Sequence, residues 1–154
     1  MVKLRDIMTR DVITMSPDFS IREAAELLAA EHIGGAPVVA SDRVLGILTA
    51  ADILDFVATL PAVPHEVTGA TLWNGLEEHT VEEAMTHAPV HALSPDAPAH
   101  AAAELMQRVG VHRVLVMEGD ALVGIVSSLD LVKAVAARKV PGRTLVFGRP
   151  ARPL

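Results

Sequence analysis

The sequence predicts an α/β (α+β) chain assembled from two β-α-β-β-α units, and three observations carry that prediction. First, the chain repeats itself at a shift of 78: Ser16-Pro17-Asp18 returns as Ser94-Pro95-Asp96, Ala24-Ala25-Glu26-Leu27 as Ala102-Ala103-Glu104-Leu105, and Gly46-Ile47 as Gly124-Ile125. Val38, Asp42 and Asp52 recur in step as Val116, Asp120 and Asp130, while Met8-Thr9 recurs as Met85-Thr86, one residue out of step. Self-similarity at a fixed period marks copies of one supersecondary unit. Second, both copies order their strand, turn and helix signals alike. Third, the 154 residues are 51% hydrophobic but only 3% aromatic, with one Trp and no Tyr. Their core must be aliphatic, which suits small sheets and helices packed closely together.

Each element has its own justification. A lead-in turn holds Ile7-Met8-Thr9, or Ala84-Met85-Thr86 in the second copy. A brief strand follows, Val12 to Met15 or Val90 to Leu93, closed by the Ser-Pro-Asp turn. Ser20 and Glu23 are spaced as a capping box, and Ile21, Ala24, Ala25 and Leu28 then fall at i, i+3, i+4 and i+7, one face of a helix. In the second copy Pro98 stands where a first helical turn tolerates it, ahead of Ala102, Leu105 and Met106. Two strands come next, Ala36 to Ala40 and Val44 to Leu48, joined through Ser41-Asp42-Arg43. Their partners are Val114 to Met117 and Leu122 to Val126, turning at Glu118-Gly119-Asp120. A last helix spans Ala50 to Leu60, and Ser128 to Arg138. One such unit cannot cover both faces of its small sheet, so the two should pack together. The organisation expected is unit 1 over 3–60, a connector over 61–79, unit 2 over 80–139, and a basic, proline-rich tail over 140–154. A short helix is expected within Trp73 to Glu83, and Trp73 itself as a packing anchor or a dimer contact.

Composition excludes several functions. Without cysteine there is no disulfide, thiolate metal site, CxxC redox centre or Cys nucleophile. Mean hydropathy is high at +0.38, yet no apolar run approaches the ~18 residues of a membrane helix. Met1 to Asp6 contains no apolar signal-peptide core, so a soluble cytoplasmic protein is expected. A net charge of −6 argues against a general nucleic-acid binder. His79, His87 and His91 lie close together with Glu82 and Glu83, but match no zinc spacing, so no metal site is expected. His32, His65 and His100 read as surface residues. No GxSxG elbow, Walker A loop or strand-linked GxGxxG is present, so no enzyme is expected.

The ordered set Ile7-Met8-Thr9, Ala36-Pro37-Val38-Val39 and Gly46-Ile47-Leu48-Thr49-Ala50-Ala51-Asp52-Ile53-Leu54 occurs twice. Its second copy includes Gly110-Val111-His112-Arg113-Val114-Leu115-Val116 and Gly124-Ile125-Val126-Ser127-Ser128-Leu129-Asp130-Leu131. This pattern resembles the tandem cystathionine-β-synthase (CBS) domain pair, or Bateman module, over roughly residues 3 to 139. The resemblance implies two units related by a pseudo-twofold axis, with two clefts between them. It also implies binding of an adenosine-containing effector: AMP, ADP, ATP, S-adenosylmethionine or methylthioadenosine. Such modules act as sensors of these effectors, usually without a cofactor or catalysis, and often pair into disc-shaped homodimers that signal to a regulated protein. The alternative is a non-catalytic dimeric scaffold whose clefts are vestigial.

Candidate ligand-binding residues follow. Thr49-x-x-Asp52 and Ser127-x-x-Asp130 each stand at a strand-to-helix junction. A carboxylate there can accept both hydroxyl protons of a ribose cis-diol, while a hydroxyl and helix N–H groups take further oxygens. The same spacing also serves simply to cap a helix, and the two roles are compatible. His112-Arg113 offers a guanidinium fork suited to phosphate, or else a solvated pair at a strand entrance. The first copy has Gly34-Gly35 there, so one cleft is expected to anchor a phosphorylated ligand and the other to stay empty or take an uncharged nucleoside. An adenine slot is expected at Ile13, Thr14, Ala36 and Pro37 in one copy and at Val90, His91 and Val114 in the other, positions that could equally be plain core.

Overall fold

The computed structural model describes residues 1–60 and 75–137. Trp73, His65, most of the expected connector and the basic tail lie outside them.

The first copy runs through α1 (Ile21–Ala30), β1 (Gly35–Ala40), β2 (Arg43–Thr49) and α2 (Ala50–Thr59). After a 3₁₀ turn at Leu76–Glu78 come α3 (Val81–Ala84), β3 (Thr86–His87) and β4 (Ala92–Leu93). Then follow α4 (Ala99–Val109), β5 (Arg113–Glu118), β6 (Ala121–Ser127) and α5 (Ser128–Ala136). In the described part of the segment expected as a helix before the second copy, these two short turns are broken at His79.

Capping works as the spacing predicts. The Glu23 N–H donates to Ser20 Oγ at 3.0 Å and the Ser20 N–H to Glu23 Oε2 at 2.8 Å, so α1 starts at Ile21. The buried stripe of α1 is Ile21, Ala24 and Leu28, and that of α4 is Ala99, Ala102 and Met106. Both hairpins carry the same irregularity: β1–β2 shifts register between Val38 and Val39, and β5–β6 between Val116 and Met117. A shared bulge at equivalent positions gives both hairpins the same extra twist.

The first strand of each unit is shorter than its β-branched run suggests. In the second copy it contracts to β4, parallel to β5. In the first only Met15 bridges, in parallel with Val38. Val12 and Ile13 instead turn toward an inter-unit cleft, where ladder pairing gives way to lining a wall.

The lead-in segments cross between the copies. β3 belongs to the lead-in of the second unit yet pairs antiparallel with β2 of the first, at Gly46–His87 and Ile47–Thr86. Reciprocally, Thr9 exchanges both backbone hydrogen bonds with Ile125 of β6, at 2.9 and 3.0 Å. The exchange recurs further out. The Ile21 N–H donates to the His79 carbonyl and the Ala99 N–H to the Val2 carbonyl, each at 2.9 Å, which are equivalent contacts under the repeat. Hydrophobic packing follows the swap. Val81 and Met85 join Met15, Ala24, Leu28, Ala36, Val38 and Leu48 in one core. Leu4 joins Ala102, Met106, Val114, Val116 and Val126 in the other. Truncating a buried leucine such as Leu4 to alanine costs about 2–5 kcal/mol, so each crossing segment is a structural part of the opposite sheet.

Surface charge fastens the N-terminal crossing. Lys3 Nζ lies 3.0 Å and an Arg5 guanidinium nitrogen 2.6 Å from Asp96 Oδ1. The Lys3 hydrogen bond, followed by the nearby Arg5 charge, holds the Asp96 carboxyl below the ordinary aspartate range. The pair is exposed and adds little to stability. Among the described residues no helix is long and apolar enough to cross a membrane, and no charged or polar residue is fully buried.

Candidate functional site

Both helices that follow the hairpins begin with the same box. In the first copy Asp52 Oδ2 accepts from the Thr49 N–H at 2.8 Å and from Thr49 Oγ1 at 3.0 Å, while the Asp52 N–H donates to Thr49 Oγ1 at 3.1 Å. In the second, Asp130 Oδ2 accepts from the Ser127 N–H at 2.8 Å and from Ser127 Oγ at 2.9 Å, and the Asp130 N–H donates to Ser127 Oγ at 3.2 Å. Capping engages one carboxylate oxygen in each box and leaves the other to face outward. In the first copy that second oxygen, Asp52 Oδ1, takes a hydrogen bond from Thr86 Oγ1 of the crossing strand at 3.2 Å. Asp130 Oδ1 has no such partner among the described residues.

Two cavities lie where the copies meet. Cleft A, about 440 Å³, brings Thr49 and Asp52 of the first copy against Val90, His91, His112 and Arg113 of the second, with Thr86 between them. Cleft B, about 380 Å³, brings Ser127, Asp130 and Lys133 of the second copy against Asp11, Ile13 and His32 of the first. The clefts are therefore composite, each taking its box from one copy and its opposite wall from the other. Two equivalent hydrogen bonds keep the seam beside the boxes: the Ala50 N–H donates to the Gly34 carbonyl and the Ser128 N–H to the His112 carbonyl, each at 2.9 Å.

Of the candidate residues, Thr49, Asp52, Val90, His91, His112 and Arg113 gather in cleft A, and Ile13, Ser127 and Asp130 in cleft B. Four do not reach a cleft wall. Thr14 is exposed beside it, Ala36 and Val114 are 1% exposed inside the two cores, and Pro37 is buried in β1. Strand alternation accounts for the core pair, since their side chains point to the helix-covered face of each sheet.

The expected division of charge between the clefts needs correction, because His112, Arg113 and Gly34 line both. Gly34 and Gly35 make room for the second copy's arginine. A Cβ added at Gly34 would stand 2.7 Å from Arg113 Nη2, and one at Gly35 would stand 2.9 Å from Nη1. The guanidinium thus lies across the glycine pair at the seam. Burial draws Arg113 below the ordinary arginine range, partly offset by the Asp52 carboxylate; a guanidinium nevertheless stays charged at neutral pH. Among the described residues the Arg113 guanidinium makes no hydrogen bond or ion pair, and the Asp52 carboxylate acts on it only through its charge.

Sequence reasoning missed Thr86, Lys133 and His32 as wall residues. The Met8-Thr9/Met85-Thr86 match pointed to Thr86, but nothing local revealed the crossing that brings it to Asp52. Among the described residues no group of three or more His, Asp or Glu is placed to hold a metal ion.

Together these features define a paired β-α-β-β-α module whose two clefts are shared between its copies. The chain belongs to the CBS-domain family, whose model matches residues 4–59 and again 81–137. Solved relatives agree in fold. A CBS-domain-containing protein from Agrobacterium tumefaciens is 33% identical with a TM-score of 0.73, over 87% of this chain and 99% of that one. A CBS domain pair in complex with 5′-methylthioadenosine and S-adenosyl-L-methionine is 26% identical with a TM-score of 0.73, over 90% of this chain and 98% of that one. Among curated proteins, inosine-5′-monophosphate dehydrogenase of Methanocaldococcus jannaschii is 30% identical over 152 residues, 94% of this chain but 26% of its own length. The A-adding tRNA nucleotidyltransferase of Aquifex aeolicus is 27% identical over 135 residues, 87% of this chain and 14% of its length. The chain spans well under half the length of these curated relatives.

Proposed function

We propose that this chain is a non-catalytic regulatory module that senses an adenosine-containing ligand of the AMP, ADP, ATP or S-adenosylmethionine type and signals its occupancy to a partner protein. The observation that carries this reading is the pair of composite clefts, each with a helix-capping carboxylate that keeps one oxygen turned away from its own cap. That oxygen suits a ribose diol, and the adjoining helix N-terminus and Arg113 suit a phosphate or carboxylate. The relative solved with methylthioadenosine and S-adenosylmethionine supports the ligand class. Because each cleft takes walls from both copies, ligand would brace one copy against the other and alter the surface a partner reads. A ligand shifts such an equilibrium only by its differential affinity for the two states. We place the protein in the cytoplasm as a homodimer, with the effector as its only small molecule.

Thermal-shift and calorimetric titration with AMP, ADP, ATP and S-adenosylmethionine test this. A ligand at 100 times its dissociation constant adds about 2.7 kcal/mol of stability. Asp52→Asn and Asp130→Asn should each weaken one cleft by roughly tenfold or more, the loss expected when a charged acceptor becomes neutral. No shift with any of the four ligands removes the sensing role and leaves the dimeric scaffold.

A further inference from the structure

Arg113 stands on the boundary of both clefts and lies over Gly34-Gly35 at the seam, and its guanidinium makes no hydrogen bond or ion pair with any described residue. The first copy supplies no counterpart, since the equivalent position is Gly35. Two clefts related by the repeat therefore share one guanidinium. Lys133 is a second cation lining cleft B, whereas among the described residues the walls of cleft A hold no Lys or Arg other than Arg113. Planar guanidinium donors grip an anion in a fork, and a fork turned toward one anion is turned away from another.

We propose that Arg113 couples the two clefts in opposition. An anionic adenosine ligand that draws the guanidinium into one cleft weakens anionic binding in the other, while an uncharged nucleoside fills each cleft independently. This inference rests on the adenosine-sensing reading above and adds the rule by which the two sites communicate. Coupling is reciprocal, so whichever cleft fills first imposes the same factor on its neighbour. The module then reports the first anionic ligand at low concentration and resists double occupancy until the concentration is far higher.

The test compares each cleft alone with the same cleft beside an occupied neighbour. Asp130→Asn isolates cleft A and Asp52→Asn isolates cleft B; calorimetry gives their affinities for AMP and for adenosine, which differ only in the phosphate. In the unsubstituted protein the second AMP should bind at least about tenfold more weakly than the isolated cleft does, a factor within the usual range of coupling between sites. The two adenosine values should agree within about twofold, the scatter expected of independent sites. Arg113→Met should bring the AMP values into agreement as well. Gly34→Ala provides a second variant, since its new methyl would displace the guanidinium from the seam without removing the charge, and it should reduce the penalty. An equal penalty for adenosine overturns the proposal, as does the absence of any penalty for AMP. A penalty unchanged in both Arg113→Met and Gly34→Ala assigns the effect to direct repulsion between ligands and overturns it too. Failure of every adenosine ligand to bind removes the sensing reading and this inference together, whereas two equal AMP sites remove only the inference.

Discussion

At His32 the backbone takes φ 53°, the left-handed conformation that its counterpart Gly110 adopts at φ 71°. Both residues follow a helix end in which an N–H five residues on reaches back, Ile33 to the Leu28 carbonyl at 3.1 Å and Val111 to the Met106 carbonyl at 3.2 Å. Such an end asks for glycine, because a Cβ in this region costs about 1–2 kcal/mol. The second copy has glycine and the first has histidine, placed on the wall of cleft B. Strain retained beside a candidate site is a mark of use. His32→Gly should raise the midpoint of thermal unfolding by a few degrees, the shift expected from about 1 kcal/mol in a chain of this size. It should weaken ligand binding in cleft B and leave cleft A unchanged. Calorimetric unfolding with titration of the two isolated clefts checks both effects, and a lowered midpoint would show that His32 holds the helix end rather than straining it.

Among the elements, the crossing lead-ins set the most demanding local geometry. A Cβ at Gly46 would collide with the backbone carbonyl of Thr86, and one at Gly124 would meet the side chain of Met8. The two glycines are equivalent under the repeat, but their obstacles differ. A backbone carbonyl fixed by the β2–β3 ladder cannot move without breaking that ladder, while a thioether can change rotamer. Gly46→Ala should therefore destabilise by about 1–3 kcal/mol, the range for overpacking, and Gly124→Ala by distinctly less. Chemical denaturation of the two variants decides it; equal losses would mean that the Met8 side is as rigid as the strand. The repeated Gly-Ile pair made these glycines visible in the sequence, and the capping boxes at Ser20, Thr49 and Ser127 were equally plain because their signal lies within four residues. The swap was not legible. Ile7-Met8-Thr9 carries the same local pattern whichever sheet it joins, so only tertiary packing reveals that it serves the opposite copy. For the same reason the sequence divided the His-Arg and Gly-Gly pairs between clefts, when the seam gives both clefts Arg113. Ala36, Pro37 and Val114 were offered as cleft or core, and burial puts them in the sheets.

At the scale of the whole molecule, the repeat that builds the clefts also duplicates an exposed apolar face. Leu54 on α2 is 69% exposed and its repeat counterpart Val132 on α5 is 62% exposed. Val135 extends the α5 side, and Val57, its counterpart, is partly buried on α2. Single exposed aliphatic side chains are ordinary on a protein surface, but equivalent ones on two helices related by the repeat fit the homodimer proposed above. The proposed homodimer would set such a face against its twin, since a twofold interface presents the same residues from each side. Leu54 and Val132 line neither cleft, so disrupting this face should leave ligand binding intact. Burying one such aliphatic side chain contributes about 1.5–3 kcal/mol, and a glutamate in its place both forfeits that contribution and sets like charges against each other across the axis. Leu54→Glu combined with Val132→Glu should convert a dimer to a monomer in sedimentation velocity while the number of ligands bound per chain stays the same. A wild-type chain that sediments as a monomer would remove the homodimer. A monomeric double variant that has also lost its ligand would show that pairing completes the clefts rather than merely joining two finished modules.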